Sequence, residues 1–155
     1  MSQAIEARLA ELGVTLPNPA APLANYVPSV VTGNLLFVSG QLPMGPDGLA
    51  FKGTLGAGAS VEDGQAAAKL CAINILAQAR AALGGDIERI VRIVKLVGFV
   101  ASTADFGDQP KVINGCSDFM VAALGDRGKH ARSAVGVAAL PFGASVEVEA
   151  IIEIR

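Results

Sequence analysis

The stretch 131-ARSAVGVAALPFGASVEVEAIIEIR-155 decides how this chain folds. It reads as two strands, residues 130–140 and 145–155, joined by the short link 141–144. The second strand alternates cleanly. Val146, Val148, Ala150, Ile152 and Ile154 point one way; Glu147, Glu149, Ile151, Glu153 and Arg155 point the other. On the assumption that Leu140 pairs with Ser145, the two strands form a hairpin. That register puts Arg132 on the face of Glu147, Glu149 and Glu153, and Val135 and Val137 on the apolar face. One sheet face is then apolar and lies under helices. The other carries an arginine, carboxylates and small residues such as Ala134, Gly136 and Ala138, and needs water or a second subunit.

Working outward, residues 89–101 (RIVRIVKLVGFVA) form a nearly continuous β-branched run, predicted to be a central strand covered on both faces. A helix is expected from about 106 to 124, with Val112, Cys116, Met120 and Ala123 on one face and Gly125 as its stop. Residues 60–84 give the strongest helical pattern. Ser60 and Asp63 make a start like a capping box, Cys71, Ala72, Ile75, Leu76, Ala79 and Leu83 share a face, and Gly84-Gly85 ends it. Strands at 26–31 and 35–39 flank a turn at Thr32-Gly33-Asn34, and residues 41–59 read as a loop. At the N-terminus, residues 2–12 read as a short amphipathic helix that Ser2 could cap, with Ile5, Leu9 and Leu12 on one side. Pro17, Pro19, Pro22 and Pro28 make the following segment extended. The order ββαβαββ predicts an α+β domain, a mixed sheet with two long helices on one face. A single domain is expected over residues 1–155, with 1–24 as an N-terminal helix and extended segment.

The composition narrows the function. The chain has 155 residues, 52% hydrophobic and only 17% charged, and a formal net charge of −2. A charged fraction below the usual ~25% predicts that some surface is covered in an oligomer. The charge balance argues against nucleic-acid binding, which depends on neutralising phosphates. The single histidine argues against a histidine zinc site, and Cys71 and Cys116 read as buried helical thiols without metal or redox spacing. No signal peptide or membrane-length apolar run is present, so a cytoplasmic protein without membrane contact is expected.

Among residues able to carry chemistry, Arg132 stands out. A planar guanidinium can hold a carboxylate through two parallel hydrogen bonds. A neighbouring Glu147 could exchange protons with water if burial raised its pKa. Spacing alone leaves open whether Arg132 is such a clamp or an ordinary ion-pair partner of the glutamates. Tyr26, the only tyrosine, is a core, interface or pocket-rim residue. Asn114 lies within the second long helix. His130 precedes Arg132 by two residues and should face the same way, unless it is a solvated strand end. The glycines of residues 42–48 serve turns, since no Gly-Lys-Ser/Thr follows them.

Three segments together resemble one family: NYVPSVVTGNLLFVSGQLP (25–43), the helix beginning near Ser60, and above all ARSAVGVAALPFGASVEVEA (131–150). The chain resembles the YjgF-type reactive-intermediate deaminases, also labelled endoribonuclease L-PSP, from about Tyr26 to Arg155. The first twenty-odd residues resemble the extension of a longer branch. The resemblance implies a chorismate-mutase-like fold, a homotrimer with clefts between subunits, and hydrolysis of reactive enamines and imines to 2-keto acids and ammonia without cofactor or metal. It makes Arg132 the carboxylate-binding arginine and Glu147 the carboxylate beside the catalytic water. Tyr26 and Asn114 become pocket residues, and Gly40 lines the cleft. The family's pocket cysteine is replaced by Ala134, which widens the pocket. Two other readings stand beside the deaminase: a trimeric protein that binds a small carboxylate such as a keto acid without turnover, and the endoribonuclease or translation-inhibitor role. The acidic balance weakens the last.

Overall fold

The computed structural model describes residues 4–19 and 24–155. The first helix, α1, spans Ile5–Glu11. Ser2, expected as its cap, lies outside the described residues. Glu88 performs that task from far along the chain, accepting from the backbone N–H of Ile5 and of Glu6, each at 3.1 Å. A carboxylate there also meets the positive end of the helix dipole. Ile5 and Leu9 are buried, but Leu12 is 43% exposed. The helix ends at Glu11, the chain turns through Gly13 (φ 69°), and Leu16 fills the core position instead.

Strands β1 (Ser29–Thr32) and β2 (Leu35–Gln41) form the expected antiparallel hairpin, with Thr32 opposite Leu35. Tyr26 lies ahead of β1 rather than within it. Residues 41–59 hold short pairings instead of plain loop: β3 (Met44–Gly45) with β4 (Gly48–Leu49), and β5 (Thr54–Leu55) with β6 (Gly58–Ala59). The side chain of Asn74 secures this segment by donating to the carbonyls of Leu42 and Met44, both at 3.0 Å.

Helix α2 spans Val61–Ala82. Ser60 Oγ accepts from the N–H of Asp63 at 3.1 Å. At the other end Gly84 and Gly85 take positive φ, and their N–H groups return to Ala81 and Arg80. That is a Schellman closure, which requires the left-handed conformations glycine supplies. Strand β7 spans Ile90–Ala101, helix α3 Gln109–Leu124, strand β8 Ala131–Val137 and strand β9 Val146–Ile154. Helix α3 starts at Gln109 rather than 106, with Pro110 in its first turn, where a missing N–H costs nothing.

The five-stranded sheet has the order β1-β2-β9-β7-β8. All its pairings are antiparallel except β7 with β8. The expected hairpin between the last two strands does not form. Strand β7 lies between them, and the linking segment steps over its end. Two hydrogen bonds hold that crossing, Gly53 N–H to the Gly143 carbonyl and Ser145 N–H to the Phe51 carbonyl.

The face assignment changes with the pairing. Leu96 stands opposite both Arg132 and Ala150, so Arg132 lies on the helix side of the sheet. Glu147 and Glu149 stand opposite Phe99 and Val97, which face Val135 and Ser133 on the other side. Val135 is thus on the open face, not the apolar one. The mixed sheet with three helices is the architecture expected, with α2 and α3 on one face.

The core fills the space between these helices and the sheet. Ile75, Leu76, Ile93, Leu96, Ile113, Met120 and Ile152 are fully buried. Strand β7 is internal, as expected, but covered on one face only. Its nearly continuous apolar run has another cause. Register shifts between Ile90 and Arg92, and between Ile93 and Lys95, each insert one residue against β9. These bulges make Ile90, Ile93 and Leu96 fall on the buried side at a spacing of three.

Candidate functional site

Arg132 leaves the edge strand β8 on the side of α3. Its Nη1 donates to Asn114 Oδ1 at 2.8 Å and to Ser117 Oγ at 3.1 Å. Those two bonds use both hydrogens of that nitrogen. The Nε and Nη2 edge of the guanidinium has no hydrogen-bond partner among the described residues. The ion pair with the glutamates, one of the two readings left open by spacing, is not formed: no salt bridge among the described residues includes Arg132. Ala134, two residues on, points the same way and packs against the core. Asn114 and Ser117 sit one helical turn apart on the same stripe of α3 and therefore reach one guanidinium together.

Ser117 was not visible as a functional residue in the sequence. Its signal was the i, i+3 spacing from Asn114, which gains meaning only once Arg132 lies under α3. His130 does face the same way as Arg132: its Nε2 lies 2.9 Å from Ser117 Oγ, and its Nδ1 2.6 Å from the carbonyl of Gly128.

A second group gathers on the open face. The carboxylate of Glu147 lies directly over Gly40, where a side-chain Cβ would collide with it. Strand β2 is irregular between Val38 and Gln41, so Gly40 bends away from strict pairing there. Burial raises the pKa of Glu147, and the negative charge of Glu149 raises it further. Tyr26 is 58% exposed at the approach to β1. An open groove of about 420 Å³ crosses this face between Val27, Val30, Phe37, Lys95, Val97 and Glu149. It includes neither Arg132 nor Glu147.

The expected pair therefore does not meet within one chain. Arg132, Asn114 and Ala134 form one cluster beneath α3. Glu147 and Gly40 form another across the sheet. The cysteines belong to neither cluster: Cys71 and Cys116 are fully buried and free. Burial pushes the Cys116 thiol up to about 12, with the charge of Arg132 partly opposing, and holds Cys71 well above its ordinary value. Neither thiol can take the place of a pocket cysteine. Among the described residues no helix is long and apolar enough to cross a membrane, and no group of His, Cys, Asp and Glu is disposed to hold a metal ion.

Comparison with known proteins gives a consistent picture. The family model described as YjgF/chorismate mutase-like, which also carries an endoribonuclease label, matches residues 6–154. Protein TCP17 of Trypanosoma cruzi is 49% identical over 97% of this chain and 94% of its own length. The crystal structure of protein Atu1372 of Agrobacterium tumefaciens, whose function is unknown, superposes with a TM-score of 0.91 at 55% identity, covering 98% of this chain and 94% of that one. TdcF of Escherichia coli, solved with bound serine, superposes with a TM-score of 0.62 at 27% identity, covering 89% of this chain and 94% of that one.

Proposed function

The chain belongs to the YjgF/chorismate mutase-like family, and from that premise we propose that it hydrolyses reactive enamines and imines of amino-acid metabolism to 2-keto acids and ammonia. The observation that carries this reading is the state of Arg132. Asn114 and Ser117 saturate Nη1, leaving the Nε–Nη2 edge prepared for a carboxylate. The serine bound to TdcF is a small amino-acid carboxylate of the kind such an edge would take.

The site is composite in this reading. Arg132 and Glu147 lie on opposite faces of one sheet, while the open face carries exposed Val30, Phe37 and Val135 beside its carboxylates. A second copy covering that face would bring one chain's Arg132 to the other's Glu147. We assign the working form as a homotrimer, in which a head-to-tail contact closes on itself.

The chemistry follows from these positions. Arg132 holds the carboxylate of the 2-imino acid and fixes the imine carbon. Glu147 as carboxylate accepts a proton from water as the water oxygen bonds to that carbon and the C=N π pair moves to nitrogen, which then takes that proton from Glu147. The carbinolamine then collapses. Glu147 takes the hydroxyl proton as that oxygen forms the keto group and passes it to the departing nitrogen as the C–N bond breaks, releasing ammonia. A carboxyl whose pKa is raised by burial suits a group that both takes and returns a proton. The ring of His130 is engaged on both nitrogens by Gly128 and Ser117, and the net charge is −2, so a ribonuclease reading finds little support here.

The test is release of ammonia and keto acid from 2-aminoacrylate-type imines generated in situ, with wild type beside Arg132→Ala. The reading predicts acceleration over buffer, lost in the variant. A wild type that binds pyruvate without accelerating hydrolysis is instead the carboxylate-binding protein, and an active Arg132→Ala removes the clamp.

A further inference from the structure

The only histidine of the chain takes part in a chain of hydrogen bonds whose direction can be read atom by atom. The carbonyl of Gly128 can only accept, so the proton between it and His130 Nδ1, 2.6 Å apart, belongs to the ring. In the neutral ring Nε2 is then an acceptor. Ser117 Oγ, 2.9 Å from Nε2, must donate its hydrogen there. That leaves the serine's lone pairs for the Nη1–H of Arg132, 3.1 Å away. The second Nη1–H goes to Asn114 Oδ1.

The origin of this chain is anchored in backbone. Gly128 lies against the main chain of Met120 and Val121, so closely that a Cβ would strike it. Neither that contact nor the carbonyl it aims can shift cheaply. Without a ring acceptor, the Ser117 hydroxyl would be free to rotate and present its hydrogen toward the guanidinium, which needs an acceptor.

We infer that His130, acting through Ser117, is a positioning residue for Arg132: its δ-protonated ring fixes the serine as an acceptor and so orients the guanidinium edge that receives the substrate carboxylate. The inference rests on the carboxylate-clamp reading of Arg132 and extends it to two residues that make no contact with substrate. Because the clamp holds substrate and transition state alike, the relay acts on KM and on carboxylate affinity, and leaves kcat nearly unchanged.

Two replacements of the ring separate its ends. In His130→Gln the side-chain oxygen can occupy the position of Nε2 and accept from Ser117. In His130→Asn the amide nitrogen can occupy the position of Nδ1 and donate to Gly128, but nothing reaches Ser117. The expected result is a KM for the imine, and a Kd for pyruvate, raised about five- to tenfold in His130→Asn and in Ser117→Ala, the scale of one typical intramolecular hydrogen bond. His130→Gln should recover most of that loss. The double variant Ser117→Ala/His130→Asn should be no worse than Ser117→Ala, since both break one chain.

Ring nitrogen shifts give a readout independent of activity, and the single histidine makes their assignment unambiguous. Wild type should show a proton on Nδ1 and a hydrogen-bonded Nε2, with the Nε2 signal moving in Ser117→Ala. Three results overturn the relay: an Nε2-protonated ring in wild type, His130→Asn with wild-type affinity, or losses that multiply in the double variant. If wild type neither turns over imines nor binds pyruvate, the clamp reading fails, and the ring shifts alone decide whether the relay exists.

Discussion

The two faces of the sheet are finished to different degrees. On the helix side Ile93, Leu96, Val100, Val146, Val148 and Ile152 are completely buried by α2 and α3. On the other side Phe37 and Val135 remain 40% and 44% exposed beside Glu147 and Glu149. Close backbone approach marks the covered face. Ile113 of α3 fills the space over Gly98, and the main chain of Gln65 crosses against Gly115, where no Cβ fits. The first face makes the fold, and its packing is complete in one chain. The second leaves apolar side chains open to solvent, and it carries the carboxylate that the proposed reaction needs.

The largest effect should come from the finished face. Leu96→Ala leaves a cavity under two helices and should lower the unfolding free energy by about 2–5 kcal/mol in chemical denaturation. A cost well below that range would mean the helix layer is less complete than its burial indicates. On the open face, Phe37→Asp should instead reduce the oligomer to single chains in sedimentation, with the far-ultraviolet dichroism retained. A wild type that already sediments as a monomer would break the contrast.

Smaller effects sharpen it. Gly40→Ala should push the Glu147 carboxylate aside and lower kcat by about a hundredfold, the cost of roughly an ångström of misplacement. Pyruvate affinity, which belongs to Arg132 on the other face, should hardly move. The smallest effect concerns pH. Burial raises the folded-state pKa of Glu147 above its unfolded value. The folded chain therefore binds that proton more tightly, and the group's contribution to stability is full below the unfolded pKa and lost as pH rises through the folded one. Glu147→Gln, which cannot ionise, should have a higher Tm than its parent at neutral pH and no advantage in acid. The comparison belongs in the Phe37→Asp background, where no second copy covers the carboxylate. Equal Tm values at neutral pH would contradict the raised pKa.

The finished face was the legible one. The Ser60 cap, the Gly84-Gly85 stop and the buried stripes of both long helices follow from local spacing, and the structure has them as read. What misled was the link after β8. Pro141–Gly143 resembles a hairpin connection, yet the partners that fix its path, Phe51 and Gly53, lie some ninety residues earlier. A strand, a helix and a strand in succession, β7-α3-β8, carried the opposite message, because such a crossover makes the two strands parallel. Choosing the local signal inverted the faces of β8, moving Val135 inward and Arg132 outward. At the candidate site, Arg132 and Glu147 were legible in the residues, and Asn114 and Gly40 in the family resemblance. Their separation into two clusters was not, because alternation places residues within a strand while pairing decides which strands share a face.

The composite site is the central claim, and subunit mixing tests it most directly. Arg132→Ala and Glu147→Gln, each expected to be nearly inactive alone, are unfolded together and reassembled. If each site takes Arg132 from one chain and Glu147 from another, random mixing should restore about a quarter of the wild-type deaminase rate, the share of interfaces with both residues intact. Mixed oligomers that form and stay as inactive as their parents would contradict the account, since both residues would then have to come from the same chain.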